Sequence, residues 1–305
     1  MKKNLWVKLI SVILIMASLV TLVACDAGVG DGSGSGSGSD VADAGFSGSN
    51  IRAEDLTPSE NLTFTLTSDK KGYQLKSASK CKDEQVVIPA TYTGADGKAL
   101  PVTVIATGAF KENKTAVTVY IPDSVKKINS SAFVEAKSLT YVVCGSGITD
   151  IGDKAFLDCK QLKRIELKEG ITKIGQYAFA GCENLECIVI PDTVKTIGTA
   201  CFQRCARMTS VTLGKGLDKT KYVKNNKGVE QPQGGLGQFA FYFCKNISTV
   251  KYNGTKKEFE ALHIDVSCFL STTITREAIC TDGKAELPKL EGQNELPVEL
   301  VDSFN

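Results

Sequence analysis

The chain has 305 residues, with 36 basic and 34 acidic side chains, a formal charge of +2 and one histidine, His263. So even a balance offers no counterion-release handle for nucleic acid. A single histidine leaves little from which to build a Ser-His or Cys-His pair, and neither a Gly-x-Ser-x-Gly elbow nor a phosphate-binding loop occurs.

In chain order, Lys2, Lys3 and Lys8 form a positive head before a nearly unbroken apolar run from Leu9 to Ala24. That run is shorter than the roughly 20 residues a spanning helix needs, and its layout is that of a secretory signal, residues 1–24. Leu22-Val23-Ala24-Cys25 resembles the lipobox of bacterial lipoproteins. The resemblance implies lipidation at Cys25, and two acyl chains suffice for stable attachment. The expected location is the outer face of a bacterial membrane, at the cell surface. Residues 25–50 then form a Gly/Ser-rich tether with a root-mean-square reach of about 25 Å.

Residues 51–85 are expected to cap the folded part, with strands over Asn61–Leu75 and Gln85–Pro89. From 86 to 253 the chain repeats itself. Phe110, Phe133, Phe156, Phe179 and Phe202 recur every 23 residues, and Phe241 follows after an insertion at about 218–233. Nine residues after each Phe stand Val119, Val142, Ile165, Ile188, Val211 and Val250. Eighteen after the first four stand Ile128, Ile151, Ile174 and Ile197, three of them followed by glycine. Fixed self-similarity of this length signals a solenoid, mainly β, of about six coils with caps at both ends. The alternation at nine and eleven residues after Phe predicts a strand, the Ile-Gly pair a second extended segment, and Ala-Phe a brief helical turn. Residues 254–290 should cap the other end, through a short helix near Lys256–Leu262, an extended segment from Ile274 to Cys280 and a turn at Thr281-Asp282-Gly283. Residues 291–305 read as an acidic tail without period.

The unit LKRIELKEGITKIGQYAFAGCENL resembles the BspA-type leucine-rich repeat, over about residues 86–253. The resemblance implies a curved leucine-rich-repeat solenoid on a bacterial surface protein, engaged in adhesion to host or bacterial partners. Fold alone does not fix function.

Most of the eleven cysteines follow the register. Cys159, Cys182, Cys205 and Cys244 stand three residues after a repeat Phe, and Cys144 and Cys201 occupy other core positions. Free Cys suits such slots as a small buried hydrophobe. Cys81, Cys268 and Cys280 lie outside this ladder and are the disulfide candidates. Cys201-x₃-Cys205 and Cys182-x₄-Cys187 have metal-like spacings, but these follow from the repeat and lack a second Cys or His pair. No metal, cofactor or catalytic residue is expected.

The outward strand positions, eight and ten after each Phe, should form one exposed sheet. Tyr120, Tyr141, Val143 and Val189 make it apolar and aromatic, while Arg164 and Glu166 add charge at its middle. Aromatic residues and Arg are enriched in binding surfaces, whereas Tyr and Val also serve strand propensity alone. The expected function is non-catalytic binding of a protein or glycan on a host or neighbouring cell, by a monomer that touches the membrane only through its anchor. A structural spacer or envelope-assembly module is the alternative. Ligand capture for a transporter would need an enclosed pocket.

Overall fold

The computed structural model describes residues 52–224, 230–270, 272 and 277–288, with backbone only at 222–224 and 230–233. The expected signal segment, the lipidated Cys25, the tether, the centre of the insertion and the acidic tail lie outside the described residues. Residues from Arg52 onward form one compact unit.

Near its N-terminus are β1 (Thr63–Leu66), β2 (Tyr73–Ser77), β3 (Gln85–Val87), β4 (Thr91–Thr93) and β5 (Ala99–Ile105). The coils follow, each contributing one three- or four-residue strand and one two-residue strand. They are β6 (Thr118–Tyr120) with β7 (Lys127–Ile128), β8 (Tyr141–Val143) with β9 (Asp150–Ile151), and β10 (Arg164–Glu166) with β11 (Lys173–Ile174). Next come β12 (Cys187–Val189) with β13 (Thr196–Ile197), then β14 (Ser210–Leu213). The insertion forms an antiparallel hairpin, β15 (Lys221–Lys224) and β16 (Glu230–Gln233), before β17 (Gly235–Leu236) and β18 (Thr249–Tyr252) resume the pattern. Helix α1 (Lys256–Glu260) is started by a capping box between Thr255 and Glu258. β19 (Glu277–Cys280) and β20 (Gly283–Glu286) close the described chain as a hairpin.

Coils stack by parallel pairing on two sides. On one side the two-residue strands follow the N-terminal strands in the order β1-β2-β5-β7-β9-β11-β13-β17, with β4 beside β5. The longer strands form two sheets, β10-β8-β6-β3 and β12-β14-β18-β19-β20. Inside runs a file of rings. Phe110, Phe133, Phe156, Phe179, Phe202, Phe241 and Phe269 stack with centroids 4.5–5.2 Å apart and planes within 10° of parallel. The first six are at most 1% exposed.

Three expectations need correction. Ala-Phe sits in a run of tight turns rather than a helical turn. The amides of Ser131, Phe133 and Glu135 donate to Asp153, Ala155 and Leu157 of the next coil, so alternate residues ladder between coils where a helix would bond within itself. Left-handed backbone two residues before and after the ring, at Ser131 and Glu135 in this coil, makes that possible. The stack also continues past residue 253. Phe269 is the seventh ring, and Ala278 and Cys280 follow it at nine and eleven residues, where β19 pairs in parallel with β18. Finally, Cys81, Cys268 and Cys280 are free and buried. Cys268 precedes its ring as Cys201 does, Cys280 takes the place of Cys144, and Cys81 accompanies Ala78, whose amide donates to the Ala109 carbonyl as each ring residue's does to its neighbour. All three are core positions of terminal coils, not bridge partners.

The Ile-Gly pair has a packing cause. A Cβ on Gly175 would lie 2.5 Å from the Asp153 amide nitrogen and 2.6 Å from the Gly152 carbonyl carbon, inside the preceding coil. In a stack held by nearest neighbours, cost depends on position. Phe156→Ala, between two rings, should cost about 3–5 kcal/mol. Phe269→Ala, at the end of the file, should cost clearly less, because only the last coil loosens. Urea unfolding midpoints would separate the two, and equal losses would contradict nearest-neighbour coupling.

Candidate functional site

The longer strands place the candidate surface. Their inward residues, Val119, Val142, Ile165, Ile188, Val211 and Val250, are at most 4% exposed. Strand alternation therefore turns the residues on either side outward. Register sets Tyr141 beside Arg164 and Val143 beside Glu166. It sets Cys187 beside Ser210, Val189 beside Thr212 and Lys251 beside Ile279. Tyr141, Val143, Arg164 and Glu166 are half-buried, while Val189 is 39% exposed. Glu166 accepts a hydrogen bond from Lys168 Nζ at 2.6 Å, with both side chains in contact with solvent. The strand ladder is interrupted between β10 and β12, so this surface straddles the junction of two sheets.

Tyr120 does not belong to it. It is 4% exposed, and its neighbours Thr118 and Val87 are buried too. The segment from Arg52 to Ser59 accounts for this. Arg52 donates to Asp123 Oδ2 at 2.8 Å, Glu54 accepts from the Asp123 amide at 2.9 Å, and Ser59 bonds Val87 through both its amide and its hydroxyl. The strap crosses the outward side of β3 and β6, and burial raises the Tyr120 phenol above its ordinary pKa. The strand pattern could not reveal this, because the covering segment lies outside the repeat. One member was missed in the other direction. Ile279, 46% exposed, extends the outward row beyond Lys251. Its signal was the Cys268-Phe269 pair, which the 28-residue spacing from Phe241 obscured.

The thiols carry the other distinctive chemistry. Cys159, Cys182, Cys205 and Cys244 donate to the carbonyls of Phe133, Phe156, Phe179 and Phe202, at 3.0–3.3 Å. Each thus bonds the ring residue of the preceding coil. Burial pushes the Cys144 and Cys159 thiols up to about 12 and raises Cys182, Cys201, Cys205 and Cys268 as well. A thiol held protonated and out of solvent is neither a nucleophile nor a metal ligand. Among the described residues, no group of three or more His, Cys, Asp or Glu side chains converges as a metal site. No helix among them is long and apolar enough to cross a membrane.

Residues 102–227 match the family model for the BspA type leucine-rich repeat region, in six copies. Over those residues the coils resemble BspA-type leucine-rich repeats. The chain is similar to the crystal structure of a Treponema pallidum leucine-rich-repeat protein, at 27% identity over 64% of this chain and 70% of that one, with a TM-score of 0.44. It is also similar to a leucine-rich cell surface protein of Faecalibacterium prausnitzii, at 21% identity over 65% and 70% of the two chains, TM-score 0.44. The pneumococcal vaccine antigen PcpA is similar at 18% identity over 67% and 66%, TM-score 0.38. No curated protein matches at a significant level.

The raised thiols make the stack sensitive to alkali. Thiols of the unfolded chain ionise near pH 8.5, whereas Cys144 and Cys159 hold their protons to about 12 when folded. The unfolded state therefore releases protons first, and stability present below pH 8.5 is lost as pH rises toward 12. Thermal melts between pH 8 and 11 should show this fall. Cys159→Ala, which suits a slot held by Ala136 in an earlier coil, should make it shallower.

Proposed function

We propose that this protein is a lipid-anchored component of a bacterial cell surface that binds a protein or glycan partner through the outward sheet of its repeats, without catalysis. The observation that carries the reading is the exposure of Val189 on β12, in the coil that follows the sheet bearing half-exposed Tyr141, Val143, Arg164 and Glu166. Solvation alone does not call for an exposed Val on a strand surface, and an apolar centre with a charged surround is the composition of a binding patch. Stacked repeats commonly present such extended surfaces. Backbone pairing fixes the strands within each of the two sheets, so a partner would meet a largely preorganised face and lose little entropy in ordering it.

Anchoring rests on the lipobox-like Leu22-Val23-Ala24-Cys25. Cells expressing the full chain should incorporate labelled palmitate, and Cys25→Ala should abolish the label; labelling that persisted would refute attachment at this residue.

For binding, a chain beginning at Arg52 is suitable, since the buried residues of the main core cluster lie between Tyr73 and Leu287. In pull-downs from host-matrix and cell-surface extracts, the wild type should capture a partner that the Tyr141→Ser/Val189→Ser variant loses, with unchanged circular dichroism. Capture by neither protein would favour the spacer role, and equal capture by both would place the contact elsewhere.

A further inference from the structure

The turns that carry the ring file hold two left-handed positions, one on each side of the Phe. In the earlier coils these are filled by residues such as Gly108, Ser131, Glu135 and Asp158. In the later coils they hold Tyr177 at φ 53°, Phe239 at φ 57° and Phe243 at φ 59°. Bulky aromatic residues are disfavoured in that region of backbone space. Elsewhere these slots hold glycine, alanine, serine, acids, Lys154 and Arg204, so three bulky aromatic residues on one edge are an outlier that local structure does not require.

Their surroundings give the outlier a chemistry. Phe239 and Tyr242 join Ala200 and Leu270 in an apolar cluster separate from the main core, and partly exposed Tyr177 and Phe243 pack against it. Val266, 37% exposed, adjoins Ser267, whose hydroxyl accepts from the Phe239 amide. Two ammonium groups stand over the partly exposed rings. Lys154 Nζ lies 5.9 Å from the centroid of Tyr177, and Lys245 Nζ lies 5.2 Å from that of Phe243.

We propose that this edge docks on an anionic lipid surface, with the rings at headgroup depth and Lys154 and Lys245 directed to lipid phosphates. Aromatic rings with an apolar body favour the membrane–water interface. Lysines lay their alkyl stems along such rings and carry the charge outward, where anionic headgroups attract it. A symmetric contact with a second copy would bring the same lysine rims together, which opposes that occupant. Anchoring at Cys25 would leave only residues 26–51 between the lipid and the folded unit, which holds that unit near the membrane. At that local concentration even a weak surface would engage. The anchoring proposed above supplies this last argument only, and the following test does not use it.

The chain from Arg52 would be sedimented with vesicles of phosphatidylcholine alone and of phosphatidylcholine with phosphatidylglycerol. The wild type should partition to the anionic vesicles and release in high salt. Lys154→Gln/Lys245→Gln changes exposed side chains outside the core and should weaken that partition roughly 30-fold. Phe243→Ser, with its fold checked by circular dichroism, should weaken it as well. Equal binding to both vesicles, no binding to either, a lysine variant that binds like the wild type, or self-association blocked by these substitutions would each overturn the proposal.

Discussion

Seven phenylalanine rings stacked 4.5–5.2 Å apart set the interval at which everything else must repeat. That interval matches the spacing of paired strands, about 4.8 Å, so ring contact and backbone pairing are satisfied together. The agreement extends to the turn itself, where the amides of the first six ring residues donate to the next coil at 2.7–2.9 Å. Each coil then has little room beside its neighbour. At Gly175 the preceding coil already occupies the place of a Cβ, which is why a glycine follows the isoleucine.

The cysteines follow from the same crowding. From the third coil to the sixth, the residue three after a ring is small, buried and within reach of the carbonyl of the preceding ring residue. A thiol suits that slot, bonding that oxygen at 3.0–3.3 Å. Ala136 fills the slot in the second coil without such a bond, and in the first coil half-buried Asn113 accepts instead from the amides of Thr115 and Ala116 in its own coil. Burial that makes the thiol a good packing group also keeps it protonated, so free cysteines persist in these slots without implying reactivity.

The period between residues 86 and 253, the two strands of each coil and the inward rows were legible because a solenoid writes each core contact several times. What was not legible lies where the writing stops. The strap from Arg52 to Ser59 has no period, so the burial of Tyr120 could not be read from Tyr120 or its coil. The seventh coil was hidden by a 28-residue interval and by Thr272 in the cysteine slot, although Cys268-Phe269 repeats the pair seen at Cys201-Phe202. The Ala-Phe turns misled for a different reason. Their left-handed residues include Glu135, Lys154 and Tyr177, none a marker of that conformation, because contact with the next coil rather than local preference holds them there.

A repeat also sorts its residues by obligation. Inward positions vary little, since a change in one coil is felt in both neighbours. Outward positions carry no such duty, so a departure from the ordinary there must be explained by something other than the stack. Val189 and Ile279 on the sheet, at 39% and 46% exposure, are two such departures. The aromatic residues in left-handed turn positions are another, and they sit on a different part of the coil from the longer strands. If the sheet serves a partner and the aromatic edge serves lipid, then the coil's two outward features divide the work. The edge would fix how the unit lies on the membrane, and that orientation would decide which way the sheet is presented.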